Sequence, residues 1–254
     1  MEKNYSYNES TRIVTSSPAE SSNGTSRQRE SIRRPQIQTY KIRYFLLFLL
    51  ILLSGTNAFQ WIEYAIIESY IVDYYSISTF WVNCTSTVYM ILYIIGIIPA
   101  TWLLDHYGLR PCLIISAFGN ALGSLIKCFS IPRNLWLLSM LGQTVAAASQ
   151  LFVLNIPPLL AATWFPASEV TRTTAFGVFG NQLGIALGFL IPPLLMPKPV
   201  DNISNLLPAQ QKSFIDDIQR GLTYLFYGSA IITTAIAIAI LLLLIFFYFL
   251  SVMV

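Results

Sequence analysis

The chain has 254 residues, 55% hydrophobic and 11% charged, with a mean hydropathy of +0.60 and a formal net charge of +3. Soluble domains carry about 25% charged residues, so the composition excludes an ordinary soluble enzyme, and so modest a positive balance gives no electrostatic footprint for nucleic acid. Three scattered cysteines (Cys84, Cys112, Cys128) without CxxC spacing, and a single histidine, His106, exclude a disulfide framework and a multi-histidine metal site.

Residues 1–43 are polar and rich in Ser, Thr, Asn, Arg and Glu. They lack the short apolar core of a signal peptide and read as a disordered tail. From Tyr44 onward, apolar runs long enough to cross a bilayer recur. They fall at roughly 44–67, 80–104, 111–130, 135–158, 173–197 and 222–250, each near the ~20 residues a span needs. The expected fold class is an all-α membrane protein with six transmembrane helices in one bundle over 44–254, surrounded by lipid.

Basic residues set the orientation. Arg33, Arg34, Lys41 and Arg43 precede the first span and put the N-terminus in the cytoplasm. Arg110 and Arg172 then fall in inner loops. The fifth, outer loop carries Lys198, Lys212 and Arg220, offset by Asp201, Asp216 and Asp217, and is the weak point of the rule here. Asn202-Ile203-Ser204 in the same loop is a glycosylation sequon, consistent with an outer position and with a default location at the plasma membrane.

The second connection reads Asp105-His106-Tyr107-Gly108-Leu109-Arg110. Gly108 permits a backbone angle that other residues resist. Asp105 and Arg110 flank it in a tight inner loop, where the acid can pair with a basic group. The loop resembles the signature loop of the major facilitator superfamily, which implies a gating role, with a solvated turn as the alternative. His106 reads as a solvated loop residue. In the fifth span Gly180, Gly184, Gly188 and Pro192 recur every four residues. They make a small-residue stripe for close helix packing, with a sliding seam as the sharper alternative. Gly119 and Gly123 repeat the pattern weakly in the third span.

Polar residues within spans are costly and tend to face a bundle interior or a water-filled cavity. Asn57 and Trp61 share a face of the first span, and Gln143 and Gln150 share one of the fourth. Asn181 and Gln182 lie in the fifth. Amides beside a tryptophan wall suit a small organic cation, because an indole face attracts quaternary ammonium without a carboxylate. The bland alternatives are interhelical hydrogen-bond glue for the amides and an interfacial belt position for Trp61. Glu63 is expected to snorkel to the outer headgroups.

Several stretches together resemble the feline leukaemia virus subgroup C receptor-related transporters of the major facilitator superfamily. They are Asn57 to Ile62, Pro99 to Asp105, Met140 to Gln143, Gly180 to Gly184, and Gly188 to Pro193. The resemblance covers roughly residues 44–197 and implies a twelve-span protein of two six-helix halves, with substrate bound between them near the midplane. It implies choline, ethanolamine or haem as substrate, with Trp61 packing on the ammonium and Gln150 and Asn57 as cavity groups. Glu63 departs from the glutamine expected there. Haem iron wants a His, Cys, Met or Tyr ligand, and none clusters with Trp61 and Gln150 in the sequence, so the residues favour the small cation. Alternating access needs two bundles, so this half is expected to act with a missing C-terminal half or as a homodimer. A non-transporting receptor or interaction subunit is the alternative. No cofactor is expected, and no Walker-type loop is present for ATP.

Overall fold

The computed structural model describes residues 42–198 and 207–252, all within one unit spanning Thr39–Val254. The tail calls at Arg33, Arg34 and Lys41 and the sequon at Asn202 lie outside the described residues. Eight helices are described: α1 Ile42–Ile66, α2 Glu68–Tyr75, α3 Thr79–Tyr107, α4 Leu109–Phe129, α5 Trp136–Val153, α6 Ile156–Trp164, α7 Val170–Leu195 and α8 Pro208–Val252. Among the described residues, six spans are long and apolar enough to cross a membrane, with α5 and α6 together forming the fourth.

The boundaries differ from the expected ones where polar sequence turns out to be helical. α8 starts at Pro208, not near 222. Proline suits a first helical position because its missing N–H has no helical partner there. The Gln210 side chain reaches back to accept from the Leu207 N–H at 3.3 Å, a capping contact. Ile218 and Leu222 on this extension are fully buried, so its inner face is held by packing despite its charged outer face. α2, a short helix in the first connection, is anchored through Tyr74 and Tyr75, whose hydroxyls donate to the carbonyls of Ile131 and Ser130, both at 2.8 Å.

The fourth span is broken at Leu154-Asn155 because Pro157 and Pro158 cannot donate to the carbonyls of Val153 and Leu154. The Asn155 side chain donates instead to Leu151 O at 2.7 Å. α3 and α4 meet at a single residue, Gly108, with φ 80° and ψ −175°. That combination is essentially restricted to glycine and costs other residues about 1–3 kcal/mol. Gly108→Ala should therefore lower the thermal unfolding temperature measurably while Leu109→Ala, of ordinary backbone, should not do so through strain. A scan of both variants checks this.

Small residues set the closest helix contacts. A Cβ placed on Gly184 would overlap the Gly55 carbonyl of α1, and one on Gly180 would lie 2.7 Å from Ile51 O. α1 and α7 thus touch backbone to backbone. Gly123 and Gly142 do the same for α4 and α5, each Cβ position lying 2.7 Å from the other's carbonyl oxygen. The glycine and Pro192 stripe of α7 is buried throughout, and tight packing is the role its geometry supports.

Candidate functional site

The centre of the bundle is polar. On α1, Asn57, Gln60 and Glu63 fall at spacings that put them on the side facing α4 and α5, and all are fully buried. Asn120 of α4 accepts from Asn57 Nδ2 at 2.9 Å and from Gln60 Nε2 at 3.0 Å. Asn57 Nδ2 also donates to Ala146 O of α5 at 3.0 Å. Gln143 Nε2 donates to Gln60 O at 2.7 Å. The ladder ends in an ion pair between Lys127 Nζ and Glu63 Oε1 at 2.6 Å, with Gln143 Oε1 a second acceptor at 3.3 Å. One level further, the hydroxyls of Tyr64 and Ser139 bond.

Glu63 therefore does not snorkel. Its side chain has no exposure, and Lys127 of α4 supplies the countercharge. A carboxylate within the span is stabilised by a buried cation at contact distance more than by reaching for the headgroups. Lys127 and Asn120 escaped the sequence reading. The signal was there: Asn120, Ser124 and Lys127 lie on one face of the third span at i, i+4 and i+7. Ser124 continues the polar seam outward, sharing a 2.6 Å hydroxyl contact with Thr233 of α8.

Of the expected substrate contacts, Trp61 lies at the edge of this polar centre. It is half-buried and packs against a small cluster of Tyr89, Ala146 and Ala147. The indole N–H donates to Ser86 O of α3, and the Ser86 hydroxyl donates to Trp61 O, both at 3.3 Å. Ser86 thus fixes the ring plane against α3. Gln150 is half-buried one turn beyond Ala146 on α5, with a buried Oε1 that no protein group satisfies. Asn57 reaches the same stretch of α5 but is enclosed, with its amide hydrogens directed at Asn120 and Ala146 and its Oδ1 unpartnered. It joins helices in the way the glue alternative requires. Gln143 is likewise taken up by the ladder, and Gln182 is exposed.

The inner-loop motif stands apart from this centre. Asp105 and Arg110 are both exposed on either side of Gly108, and neither forms an ion pair among the described residues. His106 stacks on Trp102 with ring centroids 5.3 Å apart. At the same end of the bundle, Arg43 pairs with Glu169 at 3.2 Å and lies over the rings of Tyr44 and Phe165. Among the described residues, no group of three or more His, Cys, Asp or Glu could hold a metal ion.

Six apolar spans around a polar, ion-paired centre define a multi-pass integral membrane protein. The chain matches the Major Facilitator Superfamily over residues 44–252 and belongs to that superfamily of transporters. It is 36% identical over 224 residues to the choline/ethanolamine transporter FLVCR1 of Felis catus, covering 88% of this chain and 37% of that protein. It is 39% identical over 197 residues to the choline/ethanolamine transporter flvcr2a of Danio rerio, covering 78% of this chain and 39% of that one. An uncharacterized MFS-type transporter of Caenorhabditis elegans is 44% identical over 200 residues, covering 78% and 32% respectively. The chain thus spans about a third of the length of the curated relatives it matches. The crystal structure of the MFS transporter FucP in the outward conformation superposes with a TM-score of 0.54 at 17% identity, covering 76% of this chain and 49% of that one. That likeness concerns the fold alone.

Proposed function

We propose that this bundle forms one wall of a carrier for choline-like organic cations, working by alternating access with a second six-helix bundle. The observation that carries the substrate class is Trp61. Its indole is pinned to α3 by Ser86, packs on the Tyr89–Ala146–Ala147 cluster and remains partly exposed. An aromatic face attracts a quaternary or primary ammonium. The Glu63–Lys127 pair leaves the neighbouring polar centre without net charge, so a cation held at Trp61 relies on the ring and on amide dipoles. The relatives named as choline/ethanolamine transporters favour the same class.

The sparse burial of α3 and α7 supports a second bundle. Only 17% and 22% of their apolar windows are buried, against 44–56% for the other four spans. A second bundle would cover part of the faces that lipid otherwise covers. The N-terminus is proposed to be cytoplasmic and the host membrane to be the plasma membrane. Haem fits less well: His106 is engaged in a stack at the α3–α4 turn, and the hydroxyl of Tyr89, a ligand type packed beside Trp61, is enclosed in the bundle.

The test is uptake of labelled choline by cells expressing the chain, with surface amounts matched to those of a Trp61→Ala variant and haemin as competitor. Removing a desolvated cation–π contact of about 2 kcal/mol weakens binding roughly thirtyfold. Uptake that is saturable, insensitive to haemin and lost in Trp61→Ala is the expected result. Matched surface expression with uptake independent of Trp61 would refute the site. Absence of uptake together with association with another membrane protein would favour an interaction subunit.

A further inference from the structure

One face of the bundle carries a long cleft that the transport reading does not use. α1, α7 and α8 enclose an apolar cavity of about 300 Å³, running from Ile51 past the Gly55–Gly184 contact to Leu195 and Tyr224. Of its polar lining side chains, Thr56 and Ser229 donate their hydroxyls to Leu53 O and Phe226 O of their own helices, and the exposed Tyr224 stands at the far end. Gly228 forms part of its wall, and a Cβ built there meets nothing within 4 Å. A helix is about 10–12 Å across with its side chains. A cleft of about 300 Å³ has the volume of a stretch of hydrocarbon chain and not of a helix of that diameter.

At Ile51 the cleft meets a second cavity of about 320 Å³, at the end of the bundle where α1 begins. Its lining includes Glu169 and the exposed Arg172. Arg43 neutralises Glu169 at 3.2 Å, which leaves Arg172 as the excess charge of this cavity. The Arg43 side chain is itself only 8% exposed, yet its Nε and Nη1 have no partner. Those two donors are enclosed and Arg43 lines neither cavity, so the exposed Arg172 guanidinium is the group placed to meet a phosphate oxygen.

We infer that the α1–α7–α8 cleft and the cavity at its end form a binding site for one anionic phospholipid. An acyl chain lies along Gly55 and Gly228, and the headgroup phosphate sits at Arg172. On the orientation proposed above, the lipid comes from the cytoplasmic leaflet, where anionic lipids reside. The site is independent of the cation site at Trp61, so its test reads lipid and not transport.

The full chain is purified from nanodiscs holding equal phosphatidylserine and phosphatidylcholine, and bound lipid is counted by native mass spectrometry. The wild type should keep one phosphatidylserine, at least fivefold over phosphatidylcholine. Arg172→Gln should retain lipid but bring the ratio near one. Gly228→Leu fills open space without meeting backbone and should retain neither lipid, with an unchanged helical circular dichroism spectrum. Lysophosphatidylserine should compete, and soluble glycerophosphate should not. Equal retention of the two lipids by the wild type would overturn the inference. So would wild-type retention in Gly228→Leu, displacement by glycerophosphate alone, or a second copy of the chain in place of lipid.

Discussion

Lys127→Met should be among the most destabilising single substitutions in the bundle, at about 3–5 kcal/mol, because it leaves a buried charge without its partner. Glu63 has no exposure, and its Oε2 has no hydrogen-bond partner even with Lys127 in place. Glu63→Met should cost a similar amount by stranding the ammonium. The double variant Glu63→Met/Lys127→Met should recover most of the loss, since an apolar pair of similar volume replaces a buried ion pair at little net cost. Unfolding in mixed micelles by added dodecyl sulfate, followed by circular dichroism, gives the three values. Additive losses in the double variant would show that the two residues act separately and that the contact at 2.6 Å contributes no coupling.

Gly184→Leu should also destabilise the bundle, by a different route. A Cβ alone would overlap the Gly55 carbonyl, and that neighbour is backbone, which cannot rotate away. α1 and α7 must then separate, and overpacking of this kind costs about 1–3 kcal/mol or more. α7 is among the least buried spans, so it has few other contacts to hold it. Gly228→Leu is the matched control, because its added side chain meets open space. Comparable stability of the Gly184 and Gly228 variants in the same micelle titration would mean that the α1–α7 contact does not hold the bundle.

The spans were legible because apolar length is a local property. Each run from Tyr44 onward announces itself without knowledge of its neighbours, and helix ends fell close to the expected positions wherever a glycine or a polar turn followed. α8 was underread at its start because the segment from Pro208 to Arg220 is polar in sequence, and its buried Ile218 becomes meaningful only once Tyr64 and Met196 are packed nearby. The glycine stripe of α7 was visible, but its partner, Gly55 of α1, was not, since periodicity on one helix does not name the helix it meets.

The candidate site was legible in the same uneven way. Trp61 and Gln150 stood out as polar or amphipathic groups inside spans; Trp61 packs on the cluster of Tyr89, Ala146 and Ala147, and Gln150 lies one turn beyond Ala146 on α5. Glu63 also stood out, but its fate depends on Lys127, 64 positions later in the chain, across a helix interface. Asn57 was assigned to the substrate, and its bonds to Asn120 and Ala146 tie it to the bundle instead. Pairings between helices are non-local, and a single sequence does not display them.

The central claim is that a choline-like cation is held against Trp61, and direct binding tests it without depending on transport. Purified chain is titrated with choline, with intrinsic tryptophan fluorescence and calorimetry as parallel readouts, for the wild type, Trp61→Phe and Trp61→Ala. The account predicts saturable binding to the wild type, weaker binding to Trp61→Phe, and a roughly thirtyfold higher Kd for Trp61→Ala. Indistinguishable titrations of the wild type and Trp61→Ala by calorimetry would contradict it.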